Sequence, residues 1–146
     1  MATPQGCTHL KLRQLGRALT RHYEGFVTPS GLKITQYSLL STVVAHGPMA
    51  AGALATALRM DASTLSRNLQ PLVTQGWLEL ARGEDARSRI VQATDAGRAQ
   101  RTLGQRAWKR AQLALNARLG AERIAALHEL VDDCLLQLDG GELGTS

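Results

Sequence analysis

Aromatic side chains are nearly missing from this 146-residue chain: two Trp, two Tyr and one Phe, 3% of the total. A core without large rings must be assembled from Leu, Ala and Val, and Leu and Ala favour helices. Cysteine is almost as scarce. Cys7 and Cys134 lie far apart and form no C-x-x-C pair, which excludes a disulfide-stapled scaffold and fits a reducing compartment. No apolar run approaches the ~20 residues of a membrane-spanning helix. The opening MATPQGCTHLKLRQ lacks the apolar stretch of a secretory leader, so a cytoplasmic location with no membrane partner is expected.

The chemistry of a catalyst is missing too. His9, His22, His46 and His128 show no H-x-x-x-H spacing, and neither a metal nor another cofactor is expected. No Ser/His/Asp set, glycine-rich phosphate loop or paired-carboxylate cleft stands out, and no enzyme is predicted.

What the chain does have is positive charge, unevenly placed. The net charge is +5, with residues 1–70 and 71–119 each carrying +5 and residues 120–146 carrying −5. A basic body with an acidic C-terminal segment favours a polyanionic partner. The length suits one domain with a core large enough to need no staples.

Helical periodicity dominates. Leu12, Leu15 and Leu19 predict a helix over 8–26, ended by the turn cluster Thr28-Pro29-Ser30-Gly31. A second helix is expected from a cap at Thr35 to Gly47-Pro48, and a short third from Ala51 to Arg59. Asp61 is placed to cap a fourth helix, stopped at Gly76, with Leu65, Leu69, Leu72 and Val73 on one side. Pro71 alone would end this helix near Asn68, but the apolar stripe continues, so a kinked helix is expected.

Trp77–Ala81 and Ile90–Thr94 then read as the strands of a hairpin, and Thr94 as the cap of a long fifth helix to Leu119. A sixth helix is predicted over 121–139, with Ile124, Leu127, Val131, Cys134, Leu135 and Leu138 near heptad spacing. Cys134 on that stripe reads as a small packed hydrophobe. Residues 140–146 read as a flexible tail.

The run from Leu54 to Gly97 is therefore helix, turn, helix, hairpin. Its second helix presents Ser63, Thr64, Ser66, Arg67 and Gln70 opposite its leucines. Short polar side chains and an arginine are what reach base edges and phosphates in a major groove, and Arg67 suits a bidentate contact to guanine. The plainer alternative is a solvated helix face. The hairpin tip, Arg82 to Arg89, looks like a wing, with Arg87 suited to a narrow minor groove and Arg89 beside it. Asp85 makes sense as an anchor for Arg89 through a charge-assisted bond, or else as an ordinary surface ion pair.

The stretch LA-x-x-L…D-x-STLSRNL-x-PL…G-W-L, followed by D-x-R-x-R and T-D-x-G, resembles the MarR family of bacterial winged helix-turn-helix repressors. The motifs cover Ala53 to Gly97, and the helical pattern extends the likeness from Cys7 to Asp139. One departure is Ala93, where the family often has Leu. The resemblance implies a mostly α fold, a winged helix-turn-helix of about six helices plus a two- or three-stranded wing hairpin. It further implies a single domain in which 8–34 and 98–139 are dimerisation helices and 35–97 the DNA-binding lobe. Its partners would be palindromic double-stranded DNA, a second copy of the chain, and a small-molecule or oxidant inducer.

In such relatives phenolic carboxylates bind between the dimer helices and the reader lobe. Here that region could draw on Arg17, Arg21, His22, Tyr37 and Trp108, which would suit an aromatic acid; alternatively Tyr37 and Trp108 are core and the arginines surface. Cys7 lies near the reactive cysteine of thiol-sensing members, at a helix start beside Lys11 and His9. An interlocked dimer could bring it near Cys134 of the other copy as a redox switch. Three rival readings remain open: a thiol sensor of the same fold, a nonspecific architectural DNA-binding protein, and a helical adaptor for acidic proteins.

Overall fold

A computed structural model describes residues 5–85 and 87–143. The described chain contains six α-helices and three short strands. It divides into two compact units, one up to Ala111 and one from Gln112 onward.

The first unit opens with α1 (Thr8–Val27), whose first turn is closed by Cys7: the Leu10 N–H donates to its Sγ at 3.5 Å. A 3-10 turn at Thr28–Ser30 ends on Gly31, held at φ 90°, a left-handed conformation that glycine adopts without penalty. Helix α2 (Ile34–His46) starts one residue before the predicted Thr35 cap. The reason is a non-local cap: Glu24 on α1 accepts from the Ile34 N–H at 3.1 Å, and Gln36 accepts from the Lys33 N–H at 2.9 Å.

Strand β1 (Met49–Ala50) leads into α3 (Ala51–Leu58), and α4 runs from Ala62 to Thr74. Helix α4 continues past Pro71, so proline does not end it near Asn68. Leu65, Leu69 and Leu72 on its inner stripe are all buried. Burying a leucine is worth about 1.5–3 kcal/mol, enough over two further turns to offset one missing hydrogen bond.

Strands β2 (Leu78–Arg82) and β3 (Arg89–Ala93) form the hairpin, each displaced by one residue from the predicted run. The sheet is antiparallel in the order β1-β3-β2, with Leu80 opposite Val91 and Leu78 opposite Ala93. Thr94 leaves the strand and caps α5 (Asp95–Leu119), its Oγ1 accepting from the Gly97 N–H at 3.0 Å. The core of this unit is aliphatic, as the composition requires: Val27, Leu32, Leu39, Leu40, Val43, Leu54, Leu72, Leu78 and Val91 are almost wholly enclosed. Tyr37 is its one buried aromatic among the described residues.

In the second unit the last turns of α5 end at Gly120 (φ 90°), and α6 runs from Ala121 to Leu143. The expected tail is thus helical over 140–143; residues 144–146 lie outside the described residues. Leu115 and Ile124 are buried, whereas Leu113, Leu130, Val131, Leu136 and Leu138 are exposed. Cys134 is exposed as well. It is not the packed small hydrophobe that its place on the stripe predicts, because the outer part of α6 is left uncovered. No described helix is long and apolar enough to cross a membrane.

Candidate nucleic-acid interface

The interface is built from the turn between α3 and α4, the outer face of α4, and the hairpin. Arg59 closes α3 in the left-handed region at φ 54°, and the Met60 N–H donates back to the Ala55 carbonyl at 2.9 Å. This reversal lets both helices bury their leucines against one core. Asp61 then caps α4, its Oδ1 accepting from the Thr64 N–H at 2.7 Å. The backbone and hydroxyl of Thr64 hold the Asp61 carboxyl below its ordinary value, and the nearby Arg67 charge adds to the effect.

With Leu65, Leu69 and Leu72 turned inward, Ser63, Ser66, Arg67 and Gln70 fall on one exposed stripe at i, i+3, i+4, i+7 spacing. Thr64 sits to the side and is half-buried. Its Oγ1 accepts from Arg67 Nη2 at 3.4 Å, so this hydroxyl orients the arginine from within the helix. Four of the five predicted α4 residues share the outer face; the fifth supports it.

A groove of about 400 Å³ runs between α3, α4 and the hairpin. Leu65, Leu69 and Leu80 line it together with Ser66, Gln70 and Arg89. The hairpin therefore brings Arg89 to the same concavity as the α4 stripe.

The hairpin loop is fixed by its own backbone. The Gly83 N–H donates to the Ser88 carbonyl at 3.0 Å, and a Cβ on Gly83 would collide with Ser88 Oγ. Asp85 works differently from the sequence expectation. Its carboxylate accepts from the Arg87 N–H at 3.3 Å, and its carbonyl accepts from the Ser88 N–H at 3.1 Å and Oγ at 3.0 Å. It makes no ion pair with Arg89 among the described residues. Closing the tight loop consumes the carboxylate, and both Arg87 and Arg89 remain exposed.

Of the five residues predicted to hold an effector, three have a described contact. Tyr37 stacks on Trp108 with ring centroids 6.1 Å apart and planes at 21°. Tyr37 is buried, and Trp108, partly buried, packs against the same core. His22 Nε2 donates to the Ala111 carbonyl at 2.9 Å, tying α1 to α5. Arg17 and Arg21 are exposed on α1. A separate cavity of about 280 Å³ is lined by Phe26, Leu103, Arg106, Ala107 and Arg110, among others. Its arginines were legible in the sequence only as a basic helix surface.

Residues 30–88 match the sequence profile of the MarR family. The uncharacterized HTH-type transcriptional regulator YwoH of Bacillus subtilis (strain 168) is 29% identical over 84 residues, 58% of this chain and 61% of that protein. The match thus spans about three-fifths of that relative's length. Among solved structures, the Mycobacterium tuberculosis transcriptional regulator MosR in complex with DNA is 28% identical, with a TM-score of 0.74 over 88% of this chain and 98% of that one. The PcaV transcriptional regulator from Streptomyces coelicolor, in complex with its natural ligand, shares the fold at 22% identity. It has a TM-score of 0.79 over 92% of this chain and 97% of that one.

Proposed function

We propose that the chain is a member of the MarR family, whose profile its residues 30–88 match, and that it is a sequence-specific DNA-binding transcriptional regulator, a homodimeric repressor released from a palindromic operator by a small-molecule effector. The observation that carries this reading is the exposed stripe of Ser63, Ser66, Arg67 and Gln70 facing the same way as an arginine-tipped hairpin. An α-helix with such a stripe fits the major groove, and a hairpin beside it reaches the adjacent minor groove. A DNA complex in the similar MosR structure supports it. A cytoplasmic location belongs to the same reading.

Lysine and arginine contacts to phosphate supply most of the affinity and make it fall with salt. Dimerisation through α1 and the terminal helices sets two recognition helices about one DNA turn apart. The uncovered leucines of α6 are the surface available for it. For the effector, Arg106 and Arg110 beside Phe26 suit a small aromatic carboxylate. A second reading has a specific observation behind it: Cys7 is exposed at the cap of α1 and Cys134 is exposed on α6. Oxidation of these thiols would then replace ligand binding as the signal.

The test is fluorescence anisotropy with the intergenic duplex beside the chain's own gene and with a scrambled duplex at physiological salt. Preference for the native duplex supports a specific regulator, and equal affinity for both makes the protein architectural. Failure to bind any duplex removes DNA from the reading and favours the adaptor. Adding aromatic acids or peroxide, and repeating peroxide with Cys7→Ser, separates the two signals.

A further inference from the structure

The register of the hairpin places Arg82 on β2 directly opposite Arg89 on β3. Side chains alternate along a strand, so both arginines share a face with Leu80, Val91 and the buried Leu78. That is the face turned toward α4. Like charges directly opposite on a sheet weaken it, yet neither guanidinium meets a carboxylate among the described residues. Glu79 is on the other face, held at 2.6 Å by Gln92, and Asp85 is occupied by the loop.

A concavity of about 290 Å³ lies at this point, lined by Leu80, Ala81, Arg82, Ser88 and Arg89. It adjoins the larger groove under α4, with Leu80 and Arg89 common to both. Two guanidiniums and a hydroxyl thus border a hollow with no acid among its described lining residues, between the helix that would enter one groove and the loop that would enter the next.

We propose that Arg82 and Arg89, with Ser88, form a clamp for a backbone phosphate of duplex DNA. The site rests on the DNA-binding reading above and adds a residue, Arg82, to it. The phosphodiester supplies the negative charge whose absence leaves the two arginines repelling one another. Since a phosphate contact carries no base information, the clamp fixes the position of the hairpin on the duplex and leaves sequence choice to α4.

The experiment compares wild type, Arg82→Gln, Arg89→Gln, Arg82→Lys and the Arg82→Gln/Arg89→Gln double variant. Anisotropy is measured on native and scrambled duplexes over a salt series, with thermal melting of the free proteins alongside. The clamp predicts that Arg82→Gln weakens binding about 5- to 10-fold on both duplexes and lowers the slope of log K against log salt by about 1. Arg82→Lys should keep most of that slope, and the double variant should lose less than the two single losses combined. Without DNA, Arg82→Gln should melt at the wild-type temperature or above, because a repulsion has been removed. An unchanged slope with a folded variant overturns the clamp, as does a loss confined to one base position. If wild type binds no duplex, it is the DNA-binding reading that has failed.

Discussion

Gly97, in the first turn of α5, lies with its bare Cα against the carbonyl of Trp77, and any Cβ there would occupy the space of that carbonyl group. The Thr94 N–H donates to the same carbonyl at 3.1 Å, and Thr94 Oγ1 donates to the Gly76 carbonyl at 2.6 Å. The base of the hairpin is thereby clasped to the start of α5. Gly97→Ala should force the two apart and destabilise the fold by about 1–3 kcal/mol or more. Thermal denaturation should show a melting point lower by several degrees with native helix content at low temperature. An unchanged melting point would mean that the clasp has slack.

The helices were legible because a leucine every three or four residues states which side must be buried, and the caps at Asp61 and Thr94 follow from side-chain chemistry alone. What escaped the sequence was relational. Lys33 and Ile34 begin α2 because Glu24 and Gln36 cap it, and Glu24 comes from another helix. Local propensity at Pro71 gave way to the burial of Leu72. That Tyr37 and Trp108 stack could not be read until α2 and α5 were seen together. The predicted hairpin stopped at Ala81 and Ile90, so the pairing of Arg82 with Arg89 lay one step beyond its ends although the register is the same.

Arg67 is held by Thr64 on the exposed face of α4. If it reads a base bidentately, Arg67→Ala should cost about 1–3 kcal/mol on the native operator and relax preference at a single position. Binding measured on a set of singly substituted operators checks this. A uniform loss across all of them would make Arg67 a phosphate contact.

Arg87 projects from a loop whose backbone Asp85 fixes. Arg87→Gln should lower affinity and reduce the salt slope by about 1 if the guanidinium lies among minor-groove phosphates. Asp85→Ala should weaken binding relative to Asp85→Asn, which removes the same charge but keeps an oxygen to accept from the Arg87 N–H. An unaltered slope for Arg87→Gln would place the wing tip away from DNA.

The Asp61 carboxyl is held low by its bonds to Thr64. A depressed folded-state value stabilises the protein above the unfolded-state pKa, and that contribution is lost as pH falls through the folded-state value. Wild type should therefore lose melting temperature below about pH 4 through this group. Asp61→Asn preserves a good cap but cannot titrate, so its melting curve should change less with acid. Equal acid sensitivity in both proteins would show that other carboxylates govern the response.

Leu130, Leu136 and Leu138 are exposed on α6, at 62%, 66% and 73%. A substitution at a truly solvated position changes stability by no more than about 0.5 kcal/mol. At an interface between two copies, a charge in place of leucine would be buried without a partner, which is far costlier. Leu136→Glu should accordingly shift sedimentation from dimer to monomer. It should also abolish high-affinity binding to a two-half-site operator while leaving weak binding to a single half-site. If Leu136→Glu and Leu138→Glu both sediment as wild type, the copies do not meet on this face of α6.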